Sequence, residues 1–152
     1  MSLAIGQEAP NFTLTNQFGE AVELASFRGK KNVVVLFYPF AFSGICTGEL
    51  CTLRDDLGAY QNEGTELLAI SCDPMYSLKA FGEAEGYKFN LLADFWPHGA
   101  VSKAYGVFNE DRGFSTRGTF VIDKAGVIRW QVVNGPGDAR NAADYKAALA
   151  SL

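Results

Sequence analysis

Three side chains close together in the sequence could perform chemistry on sulfur: Pro39, Ser43 and Cys46. An ionised cysteine is a strong nucleophile, and a serine hydroxyl can donate a hydrogen bond to a bound oxygen species or accept one from it. Proline has no N–H and can cover one side of a pocket, which keeps water from a thiolate. Each residue also has a purely structural interpretation: a buried core cysteine, a helix N-cap and a strand terminator. The combined spacing Pro-x-x-x-Ser-x-x-Cys is more specific than any one of the three residues.

Cys46 is expected where a buried strand ends and a helix begins. Residues 32–38 form a continuous apolar and β-branched run, which is typical of a strand buried on both faces. The segment after Cys46 has helical spacing with one apolar stripe, and it predicts a helix that ends near Gln61. The stripe consists of Leu50, Leu53, Leu57 and Tyr60. Because the first N–H groups of a helix are unpaired and its dipole is positive there, this position favours a thiolate over a thiol.

The remaining strands and helices alternate along the chain. A short hairpin is predicted around the turn at 16–19. A helix is predicted to run to about residue 85 after Asp73 and Pro74, as N-cap and first helical residue, and another from 144 to the end. Further strands are expected at 65–71, 89–92, 118–122 and 127–133, the last two joined by a tight turn. This order predicts an α/β protein of thioredoxin-like fold, with a mixed β-sheet flanked by helices and an N-terminal β-hairpin.

Composition limits the classes of protein that the chain can belong to. With 152 residues, 48% of them hydrophobic and 20% charged, it is expected to fold as one globular domain over residues 1–152. The formal charge of −4 and the lack of a Lys/Arg cluster argue against a nucleic-acid partner. No apolar run reaches the roughly 20 residues that span a bilayer, and no signal peptide is visible. Three cysteines without a secretory signal argue against a disulfide framework, so we expect a reducing cytoplasm.

The spacing of Pro39, Ser43 and Cys46 resembles the Pro-x-x-x-Thr/Ser-x-x-Cys signature of peroxiredoxins. Ser43 stands where threonine is commoner in that family, and it keeps the hydroxyl. Arg117, in a segment reading Thr-Arg-Gly-Thr-Phe-Val-Ile-Asp, matches the arginine that the family supplies from a distant strand. Within the family, the segments 40–46, 94–102 and 105–110 are similar to the AhpE-like one-cysteine group.

This resemblance implies a thiol peroxidase in which Cys46 reduces hydrogen peroxide, alkyl hydroperoxides or peroxynitrite and becomes a sulfenic acid. It implies no cofactor and no metal ion, and it implies a homodimer. Arg117 and Ser43 would hold the peroxide oxygens, and Pro39 would shield the thiolate. Glu49, on the first helical turn, would orient the arginine. The alternative interpretation of Glu49 is a negative charge that stabilises the N-terminus of the helix.

Cys51 departs from a strict one-cysteine pattern. The Cys-x4-Cys spacing resembles that of PrxQ-like peroxiredoxins, in which the second cysteine resolves the sulfenic acid. On an intact helix the two Cα atoms would be about 8.6 Å apart, whereas a disulfide needs roughly 4.4–6.8 Å. The first turn or two would therefore have to unwind, which Gly48 makes easier. Cys51 could instead be a small buried residue. An intramolecular disulfide suits thioredoxin as reductant, and a lone sulfenic acid suits a low-molecular-weight thiol with a glutaredoxin-like protein.

Other residues receive weaker assignments. Cys72 follows the second buried strand and is expected to pack, with a role as alternative resolving cysteine left open, and His98 is expected to shape a loop. Most of a group of aromatic side chains is expected in the core, although they could line a pocket or a dimer contact. The group is Phe40, Phe42, Phe95, Trp96, Phe108 and Phe114.

Two other functions stay open at this stage. A thioredoxin-like thiol–disulfide exchange protein is disfavoured because the sequence has no Cys-x-x-Cys. A non-enzymatic binding domain on the same fold is compatible with the element order, since function depends on the site and not on the fold.

Overall fold

A computed structural model of the chain describes residues 3–152. The strands are β1 (Thr13–Thr15), β2 (Ala21–Glu23), β3 (Asn32–Phe37), β4 (Thr65–Ser71), β5 (Asn90–Ala93), β6 (Phe108–Asn109), β7 (Phe114–Ser115), β8 (Arg117–Ile122) and β9 (Ile128–Asn134). The helices are α1 (Gly44–Asp55), α2 (Met75–Glu85), α3 (Ala100–Ala104) and α4 (Ala142–Ala150).

Seven strands form one mixed sheet in the order β2-β1-β5-β4-β3-β8-β9. The three central strands β5, β4 and β3 are parallel, whereas β8 and β9 continue the sheet as an antiparallel hairpin. The apolar runs of β3 and β4 lie side by side in the middle, because only there are both faces of a strand covered. The N-terminal hairpin pairs β1 with β2 and adds to the other edge. The α/β class and the thioredoxin-like architecture predicted from the sequence are confirmed.

Alternate residues of the central strands supply two separate cores. On one face, Val34 and Leu36 of β3 pack with the apolar sides of α1, α2 and α4. On the other face, Val33 and Val35 pack with α3 and the N-terminal segment. This division follows from the two-residue period of a strand. Helix α1 covers the first of these two faces and begins after the carboxyl end of β3, so Cys46 lies at that end of the strand.

Two of the predicted helix boundaries are wrong. The α-helix α1 ends at Asp55 and not near Gln61, because Asp56 adopts a non-helical conformation and a 3-10 turn follows at Leu57–Ala59. The apolar stripe nevertheless continues to Tyr60, which is buried. Asp73 does not cap α2; Pro74 occupies the N-cap position and no side chain caps the helix. The Asp73 carboxylate is bonded to a different segment instead.

The segment after β5 contains one element that the sequence did not indicate. Strands β6 and β7 form a separate two-stranded hairpin, whose strands of two residues are too short to leave a periodic pattern. Strand β4 has the predicted bounds, whereas β3, β5, β8, β9 and the C-terminal helix are shifted by one or two residues at their ends. In the described part of the chain, no helix has the length and apolar character needed to cross a membrane.

Candidate active site

Cys46 is the third residue of α1 and is completely buried. Ser43 is the N-cap residue, and its Oγ accepts a hydrogen bond of 3.4 Å from the backbone N–H of Cys46. The serine therefore fulfils the structural role that was its alternative interpretation, and its own hydroxyl proton remains free to donate to a ligand. The cysteine lies at the positive end of the helix, as the strand-to-helix junction predicted.

Arg117, the first residue of β8, reaches Cys46 from the neighbouring strand. Its Nη1 lies 3.3 Å from the Cys46 Sγ, and its Nε donates a 2.8 Å hydrogen bond to the carbonyl oxygen of Pro136. The side chain is only 2% exposed. Its Nη2 makes no hydrogen bond with residues 3–152. The rigid guanidinium is thus held against the sulfur, and its Nη2 remains available to donate to a ligand.

Glu49 joins Arg117 to a second arginine, Arg140, which the sequence did not indicate. Glu49 Oε1 accepts from Arg117 Nη1 at 2.6 Å and from Arg140 Nη2 at 2.8 Å. Glu49 Oε2 accepts from the backbone N–H of Arg140 at 2.7 Å and from its Nε at 3.0 Å. Arg140 Nη1 donates to the carbonyl oxygens of Phe37 and Gly118. The arginine therefore ties the loop before α4 to the ends of β3 and β8.

The charged side chains of this cluster carry a net positive charge next to Cys46. Arg117 and Arg140 are each no more than 2% exposed at the side chain, and Glu49 is 6% exposed. Two buried cations face one buried carboxylate, so the Cys46 sulfur lies beside a surplus of positive charge, and a buried cation stabilises a negative charge close to it. Burial alone would raise the pKa of Glu49, but the hydrogen bonds and charge of Arg140, with the charge of Arg117, outweigh it and lower that pKa. Glu49 is therefore an anion at neutral pH.

A pocket of about 550 Å³ opens beside this cluster. Arg117 and Ser43 contribute polar groups, while apolar walls come from the first-turn residues of α1 and from two loops. The lining residues are Pro39, Phe40, Ser43, Gly44, Ile45, Arg112, Phe114, Arg117 and Pro136. The rings of Phe40 and Phe114 pack with centroids 5.0 Å apart. The four residues Pro39, Ser43, Cys46 and Arg117, selected from the sequence, are thus brought together at one pocket, with the sulfur beneath its floor.

Cys51 lies away from the pocket, on the side of α1 that faces α2. Its Sγ is 3.5 Å from Glu85 Oε2 and 3.5 Å from the Tyr87 hydroxyl. Five residues of an α-helix turn by about 140° relative to Cys46, and residues 44–55 are continuously helical. In this conformation the two sulfurs face different surroundings, so a disulfide between them requires α1 to unwind.

Cys72 is buried and has a different environment. Its Sγ is 3.6 Å from Ser115 Oγ, and burial raises the pKa of its thiol. His98 hydrogen-bonds with the carbonyl oxygens of Phe95 and Gly113, and so it links two loops as expected. Within residues 3–152, no group of three or more His, Cys, Asp and Glu side chains is placed to hold a metal ion.

The expectation that most of the aromatic group is in the core is wrong. Phe114 is buried, but Phe40, Phe42, Phe95 and Trp96 are exposed large apolar residues. These four lie on loops at the carboxyl edge of the parallel strands, where Phe42 packs on Phe81 of α2. Phe40 lines the pocket, as the alternative interpretation allowed.

Comparison with known proteins gives a consistent result. Residues 5–131 match the AhpC/TSA family. Alkyl hydroperoxide reductase E of Mycobacterium tuberculosis is 49% identical over 150 residues, covering 99% of this chain and 98% of that protein. A chloroplastic 2-Cys peroxiredoxin of Hordeum vulgare is 31% identical over 158 residues, covering 97% of this chain and 74% of the relative. The chain is a peroxiredoxin of the AhpC/TSA family.

The structural similarity agrees with this membership. The crystal structure of Enterococcus faecalis AhpC superimposes with a TM-score of 0.88 at 28% identity, covering 99% of this peroxiredoxin and 92% of that chain. The peroxiredoxin is thus an oxidoreductase, a thiol-dependent peroxidase, which disfavours the thiol–disulfide exchange protein and the non-enzymatic domain. The matched residues stop before Pro136 and Arg140, two contributors to the site that no local pattern in the sequence marks.

Proposed function

We propose that Cys46 is the residue that this peroxiredoxin oxidises when it reduces a hydroperoxide. The observation that carries the proposal is the 3.3 Å contact between Arg117 Nη1 and Cys46 Sγ beneath the pocket. Pro39 and Ser43 border the same pocket. Because the sulfur is fully buried, a substrate reaches it only with its narrow peroxide end and after a small displacement of the pocket floor.

The proposed step is a displacement on oxygen. The thiolate sulfur of Cys46 attacks the distal peroxide oxygen, an S–O bond forms and the O–O bond breaks. The electron pair of that bond leaves on the second oxygen, which takes up a proton and departs as water or an alcohol. Cys46 is oxidised to a sulfenic acid and the peroxide is reduced by two electrons.

Arg117 and Ser43 stabilise the charge that spreads over both peroxide oxygens in the transition state. Arg117 Nη2 has no hydrogen bond to residues 3–152, and the Ser43 hydroxyl retains its proton because its oxygen accepts from the Cys46 N–H. Two donors can therefore hold the oxygens in line with the sulfur. Glu49 and Arg140 act through Arg117, whose orientation they fix.

Thiolate formation accounts for only part of the rate that such a site can reach. An ordinary thiol with a pKa of about 8.5 is already a few per cent ionised at neutral pH. Complete ionisation therefore gains about 30-fold, or ~2 kcal/mol. Any larger acceleration has to come from the donors that activate the peroxide.

The pocket supports hydrogen peroxide and alkyl hydroperoxides as substrates, with peroxynitrite as a further small oxidant. Its apolar wall, formed by Phe40, Ile45 and Phe114, can take an organic group of moderate size. The name of the mycobacterial relative, alkyl hydroperoxide reductase E, supports the same substrate class.

Cys51 is proposed as the resolving cysteine. After α1 unwinds, the Cys51 sulfur attacks the Cys46 sulfenic acid, a disulfide forms, and the hydroxyl leaves as water with the thiol proton. A thioredoxin dithiol then reduces the disulfide by exchange. If Cys51 does not react, a low-molecular-weight thiol with a glutaredoxin-like protein takes its place. The homodimer, the cytoplasmic location and the single domain stay predictions.

Stopped-flow mixing of the reduced protein with hydrogen peroxide tests the role of Cys46. We expect rapid, stoichiometric oxidation detected by tryptophan fluorescence, and we expect the Cys46→Ser variant to lose that phase. Oxidation that proceeds unchanged in Cys46→Ser would overturn the proposal.

Intact mass after one equivalent of peroxide tests the role of Cys51. The wild-type protein should lose two hydrogens, which indicates an intramolecular disulfide, whereas Cys51→Ser should gain one oxygen. Accumulation of the sulfenic acid in the wild-type protein, with no disulfide, would exclude Cys51 as the resolving residue and leave the role of Cys46 intact.

A further inference from the structure

The loop between β3 and α1 has one hydrogen-bonded anchor to a distant segment among the described residues. Residues 39–42 carry Pro39 and lead directly to Ser43. The backbone N–H of Ala41 donates a 2.8 Å hydrogen bond to Asp73 Oδ2. Within the part of the chain that the structure describes, this is the only hydrogen bond that joins residues 39–42 to a distant segment. The ring of Phe40 also packs on Phe114 and that of Phe42 on Phe81, but the Asp73 carboxylate is the group that fixes the backbone of the loop.

Asp73 is itself held in place by Ser71, the last residue of β4. The Ser71 hydroxyl donates to Asp73 Oδ2 at 2.7 Å, and its oxygen accepts from the Asp73 N–H at 3.3 Å. Ser71 is completely buried. The carboxylate is thus fixed to the sheet, and through it the loop is fixed to the sheet as well. This explains why Asp73 does not cap α2.

The loop needs such an anchor because its conformation is unfavourable. Phe42 has φ of +69°, a left-handed conformation that residues other than glycine rarely adopt. Its neighbour Ser43 supplies the N-cap of α1 and borders the pocket. Without the anchor, Phe42 can relax to negative φ, and that rotation moves Ser43 and Pro39 relative to Cys46.

We propose that Asp73 is a positioning residue for the peroxide step, because its bond to Ala41 keeps Pro39 and Ser43 aligned with Cys46. It touches neither the sulfur nor the pocket. Its effect is on the alignment of the peroxide oxygens, to which reaction rates are highly sensitive. The proposal rests on the function proposed above, in which Cys46 is oxidised by the substrate.

The test compares Asp73→Ala with Asp73→Asn in stopped-flow oxidation by hydrogen peroxide. Asparagine keeps a carbonyl oxygen that can accept from Ala41, whereas alanine has none. We expect the second-order rate constant to fall about tenfold or more in Asp73→Ala and to remain close to the wild-type value in Asp73→Asn. Equal rate constants in the wild-type protein and Asp73→Ala would overturn the proposal.

Asp123→Ala is the matched control for general destabilisation. Asp123 Oδ1 also accepts hydrogen bonds from backbone N–H groups, those of Ala125 and Val127, but in the turn between β8 and β9. Urea unfolding should shift for both alanine variants, whereas the oxidation rate should fall only for Asp73→Ala. If the rate falls in proportion to the stability loss in both, Asp73 is merely structural and the proposal is wrong.

Hydrogen exchange on the reduced wild-type protein tests the bond between Ala41 and Asp73 without any variant. The Ala41 amide should be protected, although it lies in a loop, while an amide that exchanges as fast as an unstructured one would contradict the anchor. Failure of the underlying function is recognised separately. In that case the wild-type protein itself shows no fast oxidation of Cys46.

Discussion

Cys46 and Cys72 are both buried near the carboxyl edge of the parallel strands, but their neighbours carry opposite charge. Cys46 lies 3.3 Å from Arg117, in a cluster with a surplus of cations. Cys72 contacts Ser115, and burial, with a smaller contribution from the charge of Asp94, raises the pKa of its thiol. Burial therefore does not distinguish the two cysteines; the charge of the groups buried with each of them does.

The hydrogen bonds around Cys72 form a chain in which the donor of each bond can be assigned. The Ser102 hydroxyl gives its only proton to Asp94 Oδ2 at 2.8 Å. The 2.6 Å bond between Ser102 and Ser115 must then use the proton of Ser115. Cys72 is left to donate its S–H to Ser115, so the chain of bonds keeps the cysteine protonated. At Cys46, by contrast, the side chain that contacts the sulfur is Arg117, which can only donate.

Among the variants that test the contrast between Cys46 and Cys72, one that removes the cation beside Cys46 should have the largest effect. Arg117→Met is expected to lower the rate constant for oxidation by hydrogen peroxide by about 10²–10³, the effect typical of losing a donor to a developing negative charge. The measurement is stopped-flow oxidation of the reduced protein. Arg112→Met is the matched control, since Arg112 lines the same pocket and is exposed; a similar loss there would remove the special role of Arg117.

The carboxylate that holds both arginines provides the second prediction. Glu49→Gln should reduce the free energy of unfolding by about 3 kcal/mol, because it leaves two buried cations with one partner fewer. Urea titration at neutral pH measures this loss. Glu66→Gln, which removes the partially exposed partner of Lys31, should cost under about 1 kcal/mol. Equal costs for the two variants would show that the arginine cluster is no more sensitive than the ion pair at the amino end of β4.

The pH dependence of stability isolates the charge of Glu49. Its pKa in the folded protein lies below the ordinary value of 4.5, so the unfolded chain binds the proton more readily. The stabilisation is therefore present above pH 4.5 and is lost as the pH falls through the folded-state pKa. The stability difference between the wild-type protein and Glu49→Gln should shrink in urea titrations from pH 6 to pH 3. A constant difference would mean that the lost stability does not come from the charge.

Cys72→Ser should change the oxidation rate least. Serine can donate to Ser115 as the thiol does, so the bond chain to Asp94 persists and the pocket is untouched. Stopped-flow rates equal to wild type would confirm the contrast between the two cysteines. A large loss of the fast phase would instead show that Cys72 takes part in catalysis and would contradict the contrast between Cys46 and Cys72.

The sequence predicts the parts of the site that depend on local order. Pro39, Ser43 and Cys46 lie within nine residues of the end of β3, so a strand prediction is enough to place them together. Arg117 could be named only through resemblance to a family, because its contact with Cys46 spans 71 residues.

Other contributors could not be found in this way. Arg140 lies in a polar loop that gives no sign of burial, and its bonds to Glu49 span 91 residues. Asp73 before Pro74 is a good N-cap signal, but the tertiary bond to Ala41 replaces the local one. In both cases the decisive partner is a backbone or carboxylate group of another segment, whose proximity is set by the packed sheet.

The late position of Arg140 has a consequence for the protein during its synthesis. A nascent chain presents Cys46 long before Pro136 and Arg140 have been added, and these residues complete the setting of Arg117 and Glu49. Until then the arginine has no fixed place beside the sulfur. The growing polypeptide therefore leaves the ribosome exit tunnel with Cys46 outside the finished arginine cluster, and this setting of the cysteine forms only after residue 140 has been made.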